Sequence, residues 1–183
     1  IVSECNNDLA SPSLRVGLRL RMHSVADVVV PNSFAQSNYL AKHAPYLKSK
    51  MRVISNCVDL DLLARRGSAR VVERSPSQLR LVVLARIDEQ KNGLRLAKAL
   101  GEYNRTRGDL PIVRIDWYGR ESQMLKGIRA EIDTVLEEVG IEDLFFFHEP
   151  VENIVSVYHA ADALCLPSLH EGCANVICEG MAA

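Results

Sequence analysis

The sequence predicts an α/β protein built on a parallel β-sheet with crossover helices. From residue 79 onward, apolar runs of strand length alternate with stretches of helical periodicity, and this order is typical of such a sheet. The first run, at 79–85, is almost continuously apolar, as expected for a strand covered on both faces. Elements of this series end before Gly119, Gly140 and Pro167. These observations predict the fold class from the second half of the chain.

The second half is predicted to hold four strands and four helices. The strands are at 79–85, 111–118, 144–147 and 163–166. The helices are at 93–107, 121–139, 151–160 and 175–183. The longest of these helices is amphipathic, and Gly140 follows it as a C-terminal stop.

The first half predicts shorter elements. Two strands are predicted there, at 25–30 and 51–55. A helix at 34–43 starts from Asn32 or Ser33 as its cap. The Arg- and Ser-rich stretch at 64–78 has the composition of a linker.

Residues 14–22 allow two interpretations. Apolar residues alternate with arginine and glycine there, which is the period of a strand. Leu14, Leu18 and Met22 also lie one helical turn apart, so a helix is the alternative. Periodicity alone favours the strand.

Composition narrows the class of protein. The 183 residues are 48% apolar with a net charge of −1, so no global feature indicates a nucleic-acid partner. Residues 1–56 hold seven Lys and Arg against three Asp and Glu. We interpret this excess as a solvated face, with an anionic lipid or acidic glycan as the alternative.

Five cysteines without a C-x-x-C pair indicate reduced cytosolic thiols. No apolar run approaches the ~20 residues of a membrane span, and no secretory signal opens the chain.

The loop after the strand at 79–85 carries two cations. Parallel sheets bind ligands outside the carboxyl ends of their strands. Arg86 and Lys91 lie there, before a helix N-terminus whose free N–H groups also favour anions. The loop therefore predicts a phosphate site, with ordinary surface cations as the alternative. No Walker loop is present and no G-x-G-x-x-G follows a strand, which argues against a dinucleotide-dependent oxidoreductase.

The loop after the last predicted strand carries two carboxylates. Glu171 precedes the small residues Gly172, Cys173 and Ala174, and Glu179 lies on the helix that follows. Small residues let a ligand approach the backbone closely, and the free N–H groups of 172–176 would face it. Carboxylates at both ends of such a loop can accept hydrogen bonds from sugar hydroxyls. Two solvated glutamates are the alternative.

Two patterns that imitate metal sites are set aside. Asp59 and Asp61 form a D-x-D, but they lie far in sequence from the phosphate loop. His170, Cys173 and Cys178 could suggest zinc, yet no fourth ligand is evident.

Five segments in this order and spacing resemble glycosyltransferase family 4 of the group 1 glycosyltransferases, which are retaining enzymes with the two-domain GT-B fold. The segments are 26–33, 52–59, 84–93, 158–168 and 167–182. Two positions depart from the family pattern. Cys57 stands where the family usually has Gly, and Gly180 stands where Ala is commonest.

The resemblance implies an incomplete GT-B protein. Residues 1–58 would be the tail of the N-terminal, acceptor-binding domain, and 59–78 would be the interdomain linker. Residues 79–183 would form the Rossmann-like nucleotide-sugar-binding domain without its last strands and helices. The chain begins at Ile1 without an initiator Met and stops at Ala183 inside a predicted helix, so we expect a piece truncated at both ends.

The resemblance also implies roles for individual residues. Arg86 and Lys91 would bind the diphosphate of the donor and stabilise it as it leaves, in place of a metal ion. Glu171 would contact hydroxyls of the donor sugar, and Glu179 would contact the ribose. The other residues implied in donor binding are Gly119, His170, Gly172, Cys173, Ala174 and Asn175. Residues 148–152 would lie near the base.

The function implied is retaining transfer of a hexose from a UDP-, GDP- or ADP-sugar to a carbohydrate or lipid-linked acceptor, for a cell-surface polysaccharide or glycolipid. No metal and no cofactor are expected. A cytoplasmic location is expected, with peripheral contact at the inner face of the membrane through the missing N-terminal domain as an open option. The alternatives are a nucleotide-sugar-binding module that is inactive as this fragment, and a GT-B phosphorylase or epimerase.

Overall fold

The computed structural model describes residues 1–4, 14–61, 63, 75–122, 126–171 and 173–183. These residues form two compact units. Unit 1 comprises Ile1–Val58 and His170–Asn175, and unit 2 comprises Asp59–Leu169 and Val176–Ala183. Most of the predicted linker, at 64–74, lies outside the described residues.

Unit 1 has a two-stranded parallel sheet with helices packed beside it. Its strands are β1 (Val2–Glu4) and β2 (Val29–Pro31), with Val2 opposite Val29. Its helices are α1 (Leu14–Met22) and α2 (Phe34–His43), with 3-10 turns at His23–Val25 and Pro45–Lys50. The predicted helix at 34–43 is confirmed, with Ser33 as its cap, because the Ser33 hydroxyl accepts a hydrogen bond from the Gln36 amide.

The strand prediction for 14–22 is wrong, because this segment is helix α1. Val16 and Leu20, one turn apart, are buried in the core of unit 1, whereas Leu14 and Leu18 are exposed. The apolar residues that produced the alternation therefore do not share one face. Burial of the Val16–Leu20 pair decides the conformation, and periodicity cannot show which apolar residues are buried.

A second prediction in this unit is also corrected. Residues 51–55 make only a single bridge, between Met51 and Val29, rather than a strand. The backbone still follows β2, because the amides of Arg52 and Ile54 donate to the carbonyls of Val29 and Pro31.

Unit 2 contains a four-stranded parallel sheet in the order β5-β4-β3-β6. The strands are β3 (Gln78–Leu84), β4 (Ile112–Tyr118), β5 (Phe145–His148) and β6 (Ala163–Leu164). The helices are α3 (Gly93–Thr106), α4 (Ile128–Val139), α5 (Ile154–His159) and α6 (Asn175–Ala182). The alternation of strand and helix and the parallel sheet are therefore as predicted.

The middle of β3 is covered on both faces. Val83, Ile115 and Trp117 point to the side of α3 and α4, where they join one buried cluster. Val82 packs on the other side, against Val157 and Tyr158 of α5. The loops that carry the predicted site residues of unit 2 follow the carboxyl ends of β3, β4 and β6.

The helix predicted for 121–139 begins only at Ile128. Gly127 has a φ of 106°, which a right-handed helix cannot include, so the helix starts after it. Glu121 instead forms a β-bridge with Ile87. The Glu121 carboxylate accepts hydrogen bonds from the amides of Arg129 and Gly127, at 2.9 and 2.8 Å. These bonds hold the pKa of Glu121 below its usual range. Within the described part of the chain, no helix is long and apolar enough to cross a membrane.

Candidate functional site

The loop after β3 holds both predicted phosphate ligands of unit 2. Arg86 follows the strand with an exposed side chain, and its guanidinium lies 3.3 Å from the buried carboxylate of Asp88. Asp88 caps the 3-10 turn Glu89–Lys91 by accepting a hydrogen bond from the Lys91 amide, at 3.1 Å. Asp88 therefore fixes the backbone between the two cations, a role that the sequence alone did not indicate.

Asn92 joins this loop to the loop after β6. It lies in the left-handed conformation, with a φ of 58°, and no other non-glycine residue among those described has a positive φ. Its side-chain amide donates to the carbonyl of Pro167 at 3.1 Å. The amide of Leu169 donates to the carbonyl of Gln90 at 2.9 Å. Two hydrogen bonds thus hold the loops together at the carboxyl edge of the sheet.

Gly119 lies directly after β4, beside the start of the same loop. A Cβ atom at this position would lie 1.9 Å from the carbonyl oxygen of Ala85, which already accepts a hydrogen bond from the indole of Trp117. Only glycine allows the two backbones to approach so closely. Arg86, Lys91 and Gly119 therefore belong to one edge of unit 2.

Glu179 lies on α6 and is anchored by Tyr158. The Tyr158 hydroxyl is 3.1 Å from the Glu179 carboxylate and 3.2 Å from the carbonyl oxygen of Val176. Burial raises the pKa of Tyr158, and the neighbouring carboxylate raises it further. The phenol therefore stays protonated and can donate to Glu179, which fixes the carboxylate that we expect at the ribose.

The remaining predicted residues belong to unit 1. His170, Glu171, Cys173 and Ala174 are partly buried there, and Asn175 is exposed at the start of α6. Gly172 lies outside the described residues. The backbone of this segment is anchored by one side chain from elsewhere in unit 1. The Asn56 amide donates to the carbonyl of Cys173 at 3.0 Å.

The sheet of unit 2 also contains a charged cluster centred on Asp116. This fully buried carboxylate accepts hydrogen bonds from Arg80 at 2.6 Å and from Arg114 at 2.9 Å, and it lies 2.6 Å from the imidazole of His148. Burial alone would raise the pKa of Asp116, but the bonds from Arg114, His148 and Arg80 outweigh it and lower the pKa. His148, which we expected near the base, therefore has its imidazole engaged with Asp116.

Several residues of the site escaped sequence reasoning because their role depends on distant partners. Asn92 had one local signal, since Asn directly before Gly often adopts the left-handed conformation. Tyr158 and Asn56 carried no such signal. Among the described residues, no group of three or more His, Cys, Asp or Glu side chains could hold a metal ion.

Comparison with known proteins gives this site its context. The family model for glycosyl transferases group 1 matches residues 78–183. The D-inositol 3-phosphate glycosyltransferase of Mycolicibacterium smegmatis is 29% identical over 182 residues, covering 96% of this chain and 40% of that protein.

Two solved structures illustrate the similarity in fold. The Anabaena protein HepE, in complex with UDP and glucose, matches with a TM-score of 0.79 at 16% identity, over 99% of this chain and 50% of its own. Sucrose-phosphate synthase from Thermosynechococcus elongatus matches with a TM-score of 0.71 at 17% identity, over 96% of this chain and 43% of its own.

The chain thus spans half or less of the length of these relatives. The predicted fold class is confirmed, because the parallel sheet of unit 2 matches the Rossmann-like domain of GT-B glycosyltransferases. The family model covers more than half of the sequence. The chain therefore belongs to the group 1 glycosyltransferases.

Proposed function

We propose that the full-length protein is a retaining hexosyltransferase of family 4 that uses a nucleotide-diphosphate sugar without a metal ion. The observation that carries this proposal is the edge of unit 2 at which the loop carrying Arg86 and Lys91 begins beside Gly119. Hydrogen bonds from Asn92 and Leu169 hold that edge in place. The complex of HepE with UDP and glucose supports a nucleotide-sugar donor in this family.

The proposed chemistry follows from the charges at this edge. Cleavage of the bond between sugar and diphosphate leaves negative charge on the diphosphate. Arg86 and Lys91 stabilise that charge, which fixed cations do most effectively where water is scarce. The cations thereby take the place of a metal ion at the leaving group.

The carboxylates bind the neutral parts of the donor. Glu171 accepts hydrogen bonds from the sugar hydroxyls, and Glu179, held by Tyr158, accepts them from the ribose. The backbone of residues 173–175, together with His170, lies along the donor. The acceptor is a carbohydrate or lipid-linked sugar of a cell-surface polysaccharide or glycolipid, and the enzyme works in the cytoplasm.

The test is transfer by purified full-length protein from a panel of UDP-, GDP- and ADP-sugars. We expect Lys91→Ala to lower kcat by about a hundredfold or more, as when one oxyanion donor is removed. Lys98→Ala is the matched control, because Lys98 is an exposed lysine on α3. Glu171→Ala is paired in the same way with Glu138→Ala on α4.

Three results would contradict the proposal. Wild-type kinetics of Lys91→Ala and Glu171→Ala would exclude these residues from the reaction. Release of a sugar phosphate, or an isomerised nucleotide sugar with no glycosylated acceptor, would indicate a phosphorylase or an epimerase. Full activity after exhaustive treatment with EDTA is expected, and its loss would refute metal independence.

A further inference from the structure

Unit 1 contains a cavity beside β1 and the carboxyl end of β2. Its volume is about 370 Å³. This is the size of many small-molecule sites, which measure about 300–1,000 Å³. Val30 and Ile54 contribute apolar surface to it. The polar lining residues among those described are Ser3, Asn32, Ser55, Asn56, Cys57 and Asn175.

Backbone hydrogen bonds fix the walls of this cavity. The amides of Arg52 and Ile54 donate to the carbonyls of Val29 and Pro31, at 3.0 and 3.1 Å, so the segment leading to Ser55 follows β2. The Asn56 side chain then donates to the carbonyl of Cys173 and holds the segment that ends at Asn175. The cavity is therefore formed before a ligand enters, which lowers the entropic cost of binding.

Asn32 has a polar atom that the protein does not satisfy. Its backbone amide donates to the Gln36 side chain at 3.2 Å, and Gln36 is itself buried, so the position of Asn32 is fixed. Its side-chain oxygen is buried and has no hydrogen-bond partner among the described residues. A buried amide oxygen without a donor is unfavourable. Asn32 as a whole is only partly buried, so a turn of its side chain would bring this oxygen to the cavity surface, where a ligand hydroxyl can donate to it.

We propose that this cavity binds the neutral, hydroxyl-bearing ring of a sugar substrate, an assignment that rests on the proposed glycosyltransferase function. Amide and hydroxyl side chains both donate and accept, as sugar hydroxyls do. Val30 and Ile54 suit the apolar C–H face of a sugar ring. Among the described lining residues no Lys, Arg, Asp or Glu is present, so the lining does not favour a phosphate or another charged group.

The ring has two possible sources, the transferred sugar of the donor and the sugar of the acceptor. The exposed thiol of Cys57 lies in the lining and can report on both. We would measure alkylation of Cys57 by iodoacetamide in the full-length protein, using peptide mass spectrometry. Cys165 serves as an internal reference, because it is partly buried and burial raises the pKa of its thiol.

The probes are UDP, GDP and ADP, their glucose and mannose derivatives, and free glucose, mannose and myo-inositol. We expect a sugar-bearing probe at about ten times its Kd to slow alkylation of Cys57 about tenfold, while the nucleotides alone do not. Protection by a nucleotide sugar but by no free ring assigns the cavity to the donor. Protection by a free ring assigns it to the acceptor.

Variants link the protection to the lining. Asn32→Ala and Ser55→Ala should each weaken the protecting ligand about tenfold, the effect of one lost hydrogen bond. Asn38→Ala, at an exposed position on α2, should leave the affinity of the protecting ligand unchanged. Equal alkylation of Cys57 with and without every probe would overturn the inference.

Calorimetry on the same samples separates this inference from the proposed function. Nucleotide sugars that bind without protecting Cys57 would overturn the cavity assignment and leave the function standing. Free rings that protect Cys57 in a protein that binds no nucleotide sugar would overturn the function and leave the cavity assignment standing.

Discussion

The side-chain amide of Asn92 donates a 3.1 Å hydrogen bond to the carbonyl oxygen of Pro167. The bond joins the loops that follow two neighbouring strands, β3 and β6. Because Lys91 directly precedes Asn92, the bond also fixes the backbone that presents one of the proposed phosphate ligands.

Asn92→Asp is expected to weaken donor binding. Aspartate tolerates the left-handed conformation, but its carboxylate cannot donate to the Pro167 carbonyl. Loss of about 1 kcal/mol corresponds to a Kd about fivefold higher, which calorimetry with the nucleotide sugar would detect. Asn38→Asp on α2 introduces the same charge at an exposed position and should leave the Kd unchanged. A wild-type Kd for Asn92→Asp would show that the bond does not support the site.

Tyr158→Phe is expected to raise the KM for the donor about fivefold with little change in kcat, because it removes one hydrogen bond to the carboxylate proposed to bind the ribose. Tyr46→Phe is the control, since the Tyr46 side chain is half exposed. A change confined to kcat would place Glu179 in the chemical step rather than in nucleotide binding.

The same tyrosine predicts a loss of stability at high pH. Its pKa is raised in the folded protein, by burial first and then by Glu179, so the folded state retains a proton that the unfolded state releases. The stabilisation is complete below the ordinary phenol pKa of about 10 and is lost as pH rises above it. Urea unfolding across this range should therefore show a steeper alkaline decline for wild type than for Tyr158→Phe. Parallel alkaline declines of the unfolding free energy in the two proteins would show that Tyr158 is not the group responsible.

Asp116→Ala is expected to destabilise the protein by about 3 kcal/mol, because it leaves Arg80 and Arg114 without their buried partner. Asp133→Ala is the control, since the side chains of the Asp133–Arg129 pair are nearly half exposed and the pair should be worth about 1 kcal/mol at most. Chemical denaturation of both variants would measure the difference. Equal losses would mean that burial adds nothing to the Asp116 cluster.

Asp116 also predicts acid sensitivity. Hydrogen bonds lower its pKa in the folded state despite its burial, so its contribution is present above the ordinary Asp pKa. The contribution is lost as pH falls below about 4 and through the lowered pKa of the folded protein. Asp116→Asn should therefore show a flatter acid limb of unfolding free energy than wild type. An unchanged limb would assign acid sensitivity to other carboxylates.

Gly119→Ala is expected to destabilise unit 2 by about 3 kcal/mol, because backbone rather than a flexible side chain stands in the way of the new methyl group. Gly17→Ala is the contrasting variant. A Cβ atom at Gly17 meets nothing within 4 Å, and alanine should stabilise helix α1 by up to ~1 kcal/mol. Thermal denaturation of both variants would test the pair, and a wild-type Tm for Gly119→Ala would refute the predicted clash.

Sequence patterns located the sheet of unit 2 well for a physical reason. Strand β3 is buried on both faces at Val82 and Val83, so it appears as a nearly continuous apolar run at 79–85. At 14–22 periodicity favours a strand over the alternative helix because exposed Leu14 and Leu18 take part in an alternation that does not follow burial. Helix α4 was predicted too long because the position of its N-terminus depends on the backbone conformation of Gly127.

The site was predictable only in part. Arg86 and Lys91 follow a strand, so their place at the sheet edge follows from topology. The hydrogen bonds that hold the rest of the site join residues far apart along the chain. The partners of Asn92, Tyr158 and Asn56 lie 75, 21 and 117 residues away. No local pattern reports such a distance.

The ion pair between Arg86 and Asp88 has a consequence for kinetics. From Arg86 to Lys91 the loop carries two basic and two acidic side chains, so its formal charge is zero. Such a loop attracts a diphosphate strongly only at short range and adds little long-range steering. We therefore expect the association rate of the donor to depend weakly on ionic strength. A spent nucleotide diphosphate would also leave without having to overcome a large excess of positive charge.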